Sequence, residues 1–131
     1  HSPEREIGVF PVTLTEAGLA DEHVKGFGKT LNTGHWHGDM PGLTDNAVVL
    51  ATSQGCPRQI VRFSPKHYAF QAHLEFDPEA IDLLIAADGE EHLRKQNKEL
   101  PFVQTPEQLR ANNYSEMNKK LYDFLDSLTQ A

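Results

Sequence analysis

The chain has 131 residues, with 12 Lys and Arg against 19 Asp and Glu and a net charge of −7. Its length suits one domain with a core of its own, and 38% apolar residues plus nine glycines make a globular rather than a disordered composition. The charge has the wrong sign for a nucleic-acid or anionic-membrane surface, no apolar run approaches the roughly 20 residues that span a bilayer, and the single cysteine, Cys56, excludes an internal disulfide and points to a reducing, cytoplasmic compartment.

Ile7 to Leu14 alternates Phe10, Val12 and Leu14 with Pro11 and Thr13, the period of a strand. Pro11 has no N–H for a ladder, so this strand is expected at an edge or interrupted there. Asp21 to Gly26 reads as one helical turn closed by Gly26-Phe27-Gly28. Ala47 to Thr52 is a short, nearly all-apolar run, the pattern of a buried strand. Arg58 to Phe63 and His67 to Ala72 read as two strands of a hairpin turning at Ser64-Pro65-Lys66. Asp77-Pro78-Glu79 is an N-cap, a proline at the first helical position and an acidic first turn, with Ile81, Leu84 and Ile85 as the apolar face that follows. Segment 86–104 reads as a solvated helix face and loop. Thr105-Pro106-Glu107-Gln108 has the form of a capping box, and Tyr114, Met117, Leu121, Phe124, Leu125 and Leu128 continue at helical spacing as a core stripe. Strands first and helices last predict a mixed α/β fold. The strand-rich part has too few crossovers to complete a parallel sheet.

Five of the seven histidines lie between residues 23 and 73. His73 and Glu75 are two apart, and in extended chain such side chains share a face. A carboxylate there can fix the imidazole tautomer, which is the base-and-orienter part of a nucleophilic triad. The other cluster, Gly34-His35-Trp36-His37-Gly38-Asp39, reads as a loop; an alternative gathers His35, His37 and His73 with Asp39 or Glu75 around a metal ion. Cys56 stands in Gly55-Cys56-Pro57. In a nucleophile elbow the N–H after the nucleophile helps to hold the oxyanion. Pro57 has none, so Cys56 reads as a packed thiol.

Four stretches come in one order: Glu6-Ile7-Gly8-Val9 with Pro11-Val12, His35-Trp36-His37-Gly38-Asp39, Cys56-Pro57-Arg58-Gln59, and Phe70-Gln71-Ala72-His73-Leu74-Glu75. Together they resemble the second half of a class I glutamine amidotransferase domain of the stand-alone, GMP-synthase-like kind. The match runs from about Glu4 to Phe76, and the tail is similar in kind. The resemblance implies a three-layer, flavodoxin-like α/β domain, present here only as its C-terminal portion. Within 1–131, residues 1–76 form the strand-rich catalytic part and 77–131 the helical tail.

The activity implied is hydrolysis of the glutamine side-chain amide through a Cys-His-Glu triad, with ammonia released and no cofactor. His73 matches the general base and acid, Glu75 the residue that orients it, and Trp36 and His37 a loop near the glutamine site. Ala72 and Leu74 stand where the family commonly has Phe and Pro. The family's nucleophile belongs to a Gly-x-Cys-x-Gly elbow, which this sequence lacks, and the chain starts at His1 rather than Met. The nucleophile is therefore expected in an upstream half of the same domain, and the isolated chain is expected to be inactive. The implied partners are L-glutamine, that upstream half, and a synthetase domain or subunit that uses the ammonia. A γ-glutamyl hydrolase of the same fold and a non-catalytic binding or assembly module that self-associates through open sheet edges are the alternative functions.

Overall fold

The computed structural model describes residues 1–130. In chain order the elements are β1 (Glu6–Leu14), α1 (Glu16–Ala20), a 3-10 turn (Lys25–Phe27), β2 (Thr30–His37), β3 (Val48–Thr52), β4 (Ile60–Ser64), β5 (His67–Phe70), α2 (Pro78–Asp88), α3 (Glu90–Glu99), β6 (Phe102–Val103), α4 (Pro106–Ala111) and α5 (Ser115–Gln130). The mixed α/β expectation holds. The sheet is antiparallel except where β1 meets β6.

β1 is the hub. Along one side it pairs with β2, from Glu6 opposite His37 to Thr13 opposite Thr30. Along the other, Glu6 and Ile7 pair with β6 and Thr13 and Leu14 with β3. Between those two partners the side-chain amide of Gln104 takes the place of a strand: it accepts from the Val9 N–H at 3.1 Å and donates to the Val9 carbonyl at 3.3 Å. Pro11 follows directly, in the stretch of β1 that neither β6 nor β3 covers. Of the two expectations for this strand, an edge or an interruption at Pro11, the second holds: the strand is internal, and its proline sits where pairing on the second side is interrupted and no neighbour requires an N–H.

Three other expectations change. His35 and His37 belong to strand β2 rather than a loop. The strand from His67 ends at Phe70, and residues 71–75 bend, tied to β2 by one bridge between Gly34 and His73. The C-terminal helical run is two helices, α4 and α5. Asn113 separates them and caps the second, its Oδ1 accepting from the Ser115 N–H at 2.9 Å. The capping box forms as expected, with Thr105 and Gln108 bonding reciprocally, and Asp77 caps α2.

One core joins the layers. Ile7, Val12, Leu31, Leu50 and Ile60 from the sheet meet Ile81, Ile85, Leu93, Leu109, Met117 and Phe124 from the helices. Of the terminal stripe, Tyr114, Met117 and Phe124 are buried, while Leu125 faces outward. No helix among the described residues is long and apolar enough to cross a membrane.

Candidate active site

His73 is placed by backbone. Its N–H donates to the Gly34 carbonyl at 2.7 Å and its carbonyl accepts from the Gly34 N–H at 3.0 Å. The side chain reaches outward, and Nδ1 lies 2.6 Å from Glu75 Oε1. A carboxylate accepts only, so Nδ1 carries the proton and Nε2 keeps a lone pair when the ring is neutral. Nε2 makes no hydrogen bond among the described residues. The His73 and Glu75 side chains are 36% and 56% exposed, so the pair faces open space. The pairing inferred from sequence is present, but a bend makes it rather than a regular strand.

The second histidine cluster is interior. Glu6 is almost wholly buried at the start of β1, with His37 directly opposite on β2 and His35 two residues before it. His37 Nε2 is 3.3 Å from Glu6 Oε1 and 3.2 Å from His35 Nδ1. His35 Nε2 lies 3.2 Å from the Phe10 carbonyl, which can only accept, so His35 holds its proton there. The single His37 Nε2–H then lies between Glu6 Oε1 and the His35 Nδ1 lone pair and is shared by the two acceptors. The amide of Gln59 donates to Glu6 Oε1 at 2.6 Å, and the Ser53 hydroxyl donates to Glu6 Oε2 at 2.8 Å. Burial pulls His35 down to about 4, against an opposing pull from Glu6, so it is neutral at pH 7. Burial alone would raise Glu6, but the hydrogen bond from His37, the nearby His35 and the bond from Ser53 outweigh it and hold its carboxyl below the usual range.

Gly55 lets this arrangement close. A Cβ there would come within 2.8 Å of Glu6 Cγ. Glu6, His35 and His37 are the group among the described residues whose ligand atoms lie near enough for one metal ion. It differs from the set expected from sequence. His73 pairs with Glu75 instead, and Asp39 lies at the surface 3.1 Å from His1. The facing atoms of the inner group already share protons, which makes it a hydrogen-bonded structural unit.

Trp36, between the two histidines, is half-buried against the core, while the His37 ring points inward to Glu6. Cys56 is completely buried, and burial, followed by the charge of Glu6, pushes its thiol up. Sequence reasoning assigned no role to Glu6, Ser53, Gln59 or Phe76. Glu6 and Gln59 stood within the resembling stretches, but no spacing signal tied them to the histidines.

No protein-family model matches the chain. Over 130 residues it is 52% identical to the glutamine amidotransferase-like protein YfeJ of Salmonella typhimurium, covering 99% of this chain and 54% of YfeJ. The crystal structure of SMU.1228c superposes with a TM-score of 0.95 at 54% identity, over 98% of this chain and 54% of that one. A glutamine amidotransferase from Methylobacillus flagellatus matches in fold, with a TM-score of 0.85 at 18% identity over 98% of this chain and 53% of its own.

The mixed α/β fold is thus the fold of solved glutamine amidotransferases. More particularly, the chain is a homologue of the YfeJ-like proteins. It spans about half the length of these relatives.

Proposed function

We propose that this chain is the acid–base part of a glutamine amidotransferase site, with His73 as the proton carrier and Glu75 as its orienter. The observation that carries this is the 2.6 Å contact between His73 Nδ1 and Glu75 Oε1 in an exposed position, with Nε2 left without a partner among the described residues. Nε2 takes the proton of a cysteine thiol, and the thiolate attacks the side-chain amide carbon of L-glutamine. Imidazolium Nε2–H then protonates the departing nitrogen, so that ammonia leaves and a glutamyl thioester remains. The same nitrogen draws a proton from water, which splits the thioester to glutamate and the free thiol. Glu75 stabilises the imidazolium in each half without taking its proton.

The thiol comes from elsewhere than Cys56. A buried thiol with a raised pKa is a poor nucleophile, and Pro57 offers no N–H to an oxyanion. An upstream half of the same domain supplies it, and the isolated chain releases no ammonia. Trp36 and His37 hold the segment beside the glutamine site, His37 through backbone because its ring is committed to Glu6. The ammonia passes to a synthetase domain or subunit, in the cytoplasm.

The test joins this chain to the first half of its YfeJ relative and measures ammonia release. His73→Ala should lower kcat by about 10²–10⁴-fold, and Glu75→Gln should lower it with little change in KM. Unchanged turnover in His73→Ala would refute the assignment. Faster turnover of γ-glutamyl peptides than of glutamine would make the protein a γ-glutamyl hydrolase that uses the same residues.

One observation supports an assembly role beside catalysis. β2 lies at the end of the sheet, and beyond it only the Gly34–His73 bridge forms among the described residues. The rest of that edge has unpaired backbone groups, which the complementary half or a second copy would cover.

A further inference from the structure

Phe76 lies face to face with the His73 imidazole, ring centroids 4.5 Å apart and planes within 6° of parallel. Nothing in the reaction above uses this stack. We propose that Phe76 is a positioning residue for His73: its ring, seated in space that Gly34 leaves open, sets the plane of the imidazole so that Nδ1 meets Glu75 and Nε2 stays free. The proposal rests on the reading of His73 as the proton carrier.

Three features tie the stack to the site. First, Gly34 serves both residues. Its backbone holds His73 through two hydrogen bonds, and a Cβ on it would lie 2.4 Å from Phe76 Cδ2 and 2.8 Å from the His73 carbonyl oxygen. Any side chain at position 34 would therefore displace the ring, the backbone or both. Second, the bent segment is clamped from α5. The Asn118 amide donates to the Leu74 carbonyl at 2.6 Å and to the Phe76 carbonyl at 2.9 Å. Third, Phe76 is buried while its partner is not, so the ring is a fixed wall against which an exposed imidazole rests.

Glu75 alone is a weak constraint, since an exposed pair of side chains holds its geometry loosely. A packed aromatic face restricts the ring's rotation as well. It also tolerates the imidazole in both charge states, because a cation over an aromatic face is attracted rather than expelled. That suits a group which gains and loses a proton in each turnover.

NMR of the chain itself tests this without any activity, so its outcome is separate from that of the ammonia assay. In the wild type, the His73 Hδ2 and Hε1 resonances should be displaced upfield by the Phe76 ring, with cross-peaks to it, and imidazole ¹⁵N shifts should report the Nδ1–H tautomer. In Phe76→Leu, and in Phe76→Met, which fills the space flexibly, the displacement and the tautomer preference should both be lost. Phe76→Tyr should keep both. A folded Leu or Met variant that retains the tautomer preference and ring order would overturn the proposal and leave Phe76 as core packing alone. A wild-type His73 ring as mobile as the exposed His67 and His92 rings would overturn it too. Should neither variant fold, that comparison of ring order decides: a ring more ordered than His67 and His92 supports the proposal.

Discussion

Glu6 shows how much one residue can organise. Its carboxylate is buried, yet Gln59, Ser53 and His37 each point a proton at it, so burial of the charge is compensated at every side. Glu6→Ala would leave those donors unpaired in the core and should cost about 3–5 kcal/mol, measured by urea denaturation. The same group sets a pH dependence. His35 stays neutral in the fold down to about 4, whereas an unfolded histidine takes its proton near 6.5. The unfolded chain therefore binds more protons in that window. Stability should be full above pH 6.5 and fall by roughly 3 kcal/mol as pH drops to about 4. Asp21 adds to the loss further down. Burial would raise it, but the His23 and Val24 N–H groups, Arg62 and Tyr68 together lower it. Thermal melts between pH 7.5 and 4 check this, and a flat profile would contradict it.

Elements were legible where their inward faces are apolar. The strands from Ile7, Val48 and Ile60 and the helices from Pro78 and Pro106 all announce themselves by periodicity or caps. Thr105→Ala, which removes the capping-box hydroxyl, should cost about 1 kcal/mol by calorimetry. β2 was hidden because three of its inward side chains, Thr33, His35 and His37, are polar. A pattern that seeks apolar alternation does not see a strand whose buried face is a hydrogen-bond network. Pro11 marks the interruption in pairing that the structure shows, but nothing local says that Gln104, more than 90 residues away, will stand in for a neighbouring strand beside it. Gln104→Ala should expose or orphan the Val9 peptide groups at a cost of about 1–3 kcal/mol. The two-residue spacing of His73 and Glu75 does foretell that the side chains meet, although a bend rather than a strand brings them together. The stack of Phe76 on His73 was beyond sequence, because it depends on the room at Gly34, a residue 42 positions earlier.

At the scale of the whole molecule, the chain combines a continuous core with an exposed His–Glu pair. Core residues come from both sheet and helices, as expected of a unit that folds by itself. The one thiol, Cys56, is buried, the end strand β2 has only the Gly34–His73 bridge beyond it among the described residues, and relatives are about twice as long. The proposed function has this chain bring the acid–base pair of a reaction centre whose thiol comes from elsewhere. The most direct measurement is ammonia release from L-glutamine by the chain alone and by the chain joined to the first half of YfeJ. The account predicts none from the chain alone, and turnover in the joined form that His73→Ala abolishes and Cys56→Ala leaves intact. Turnover by the chain alone that disappears in Cys56→Ala would contradict it.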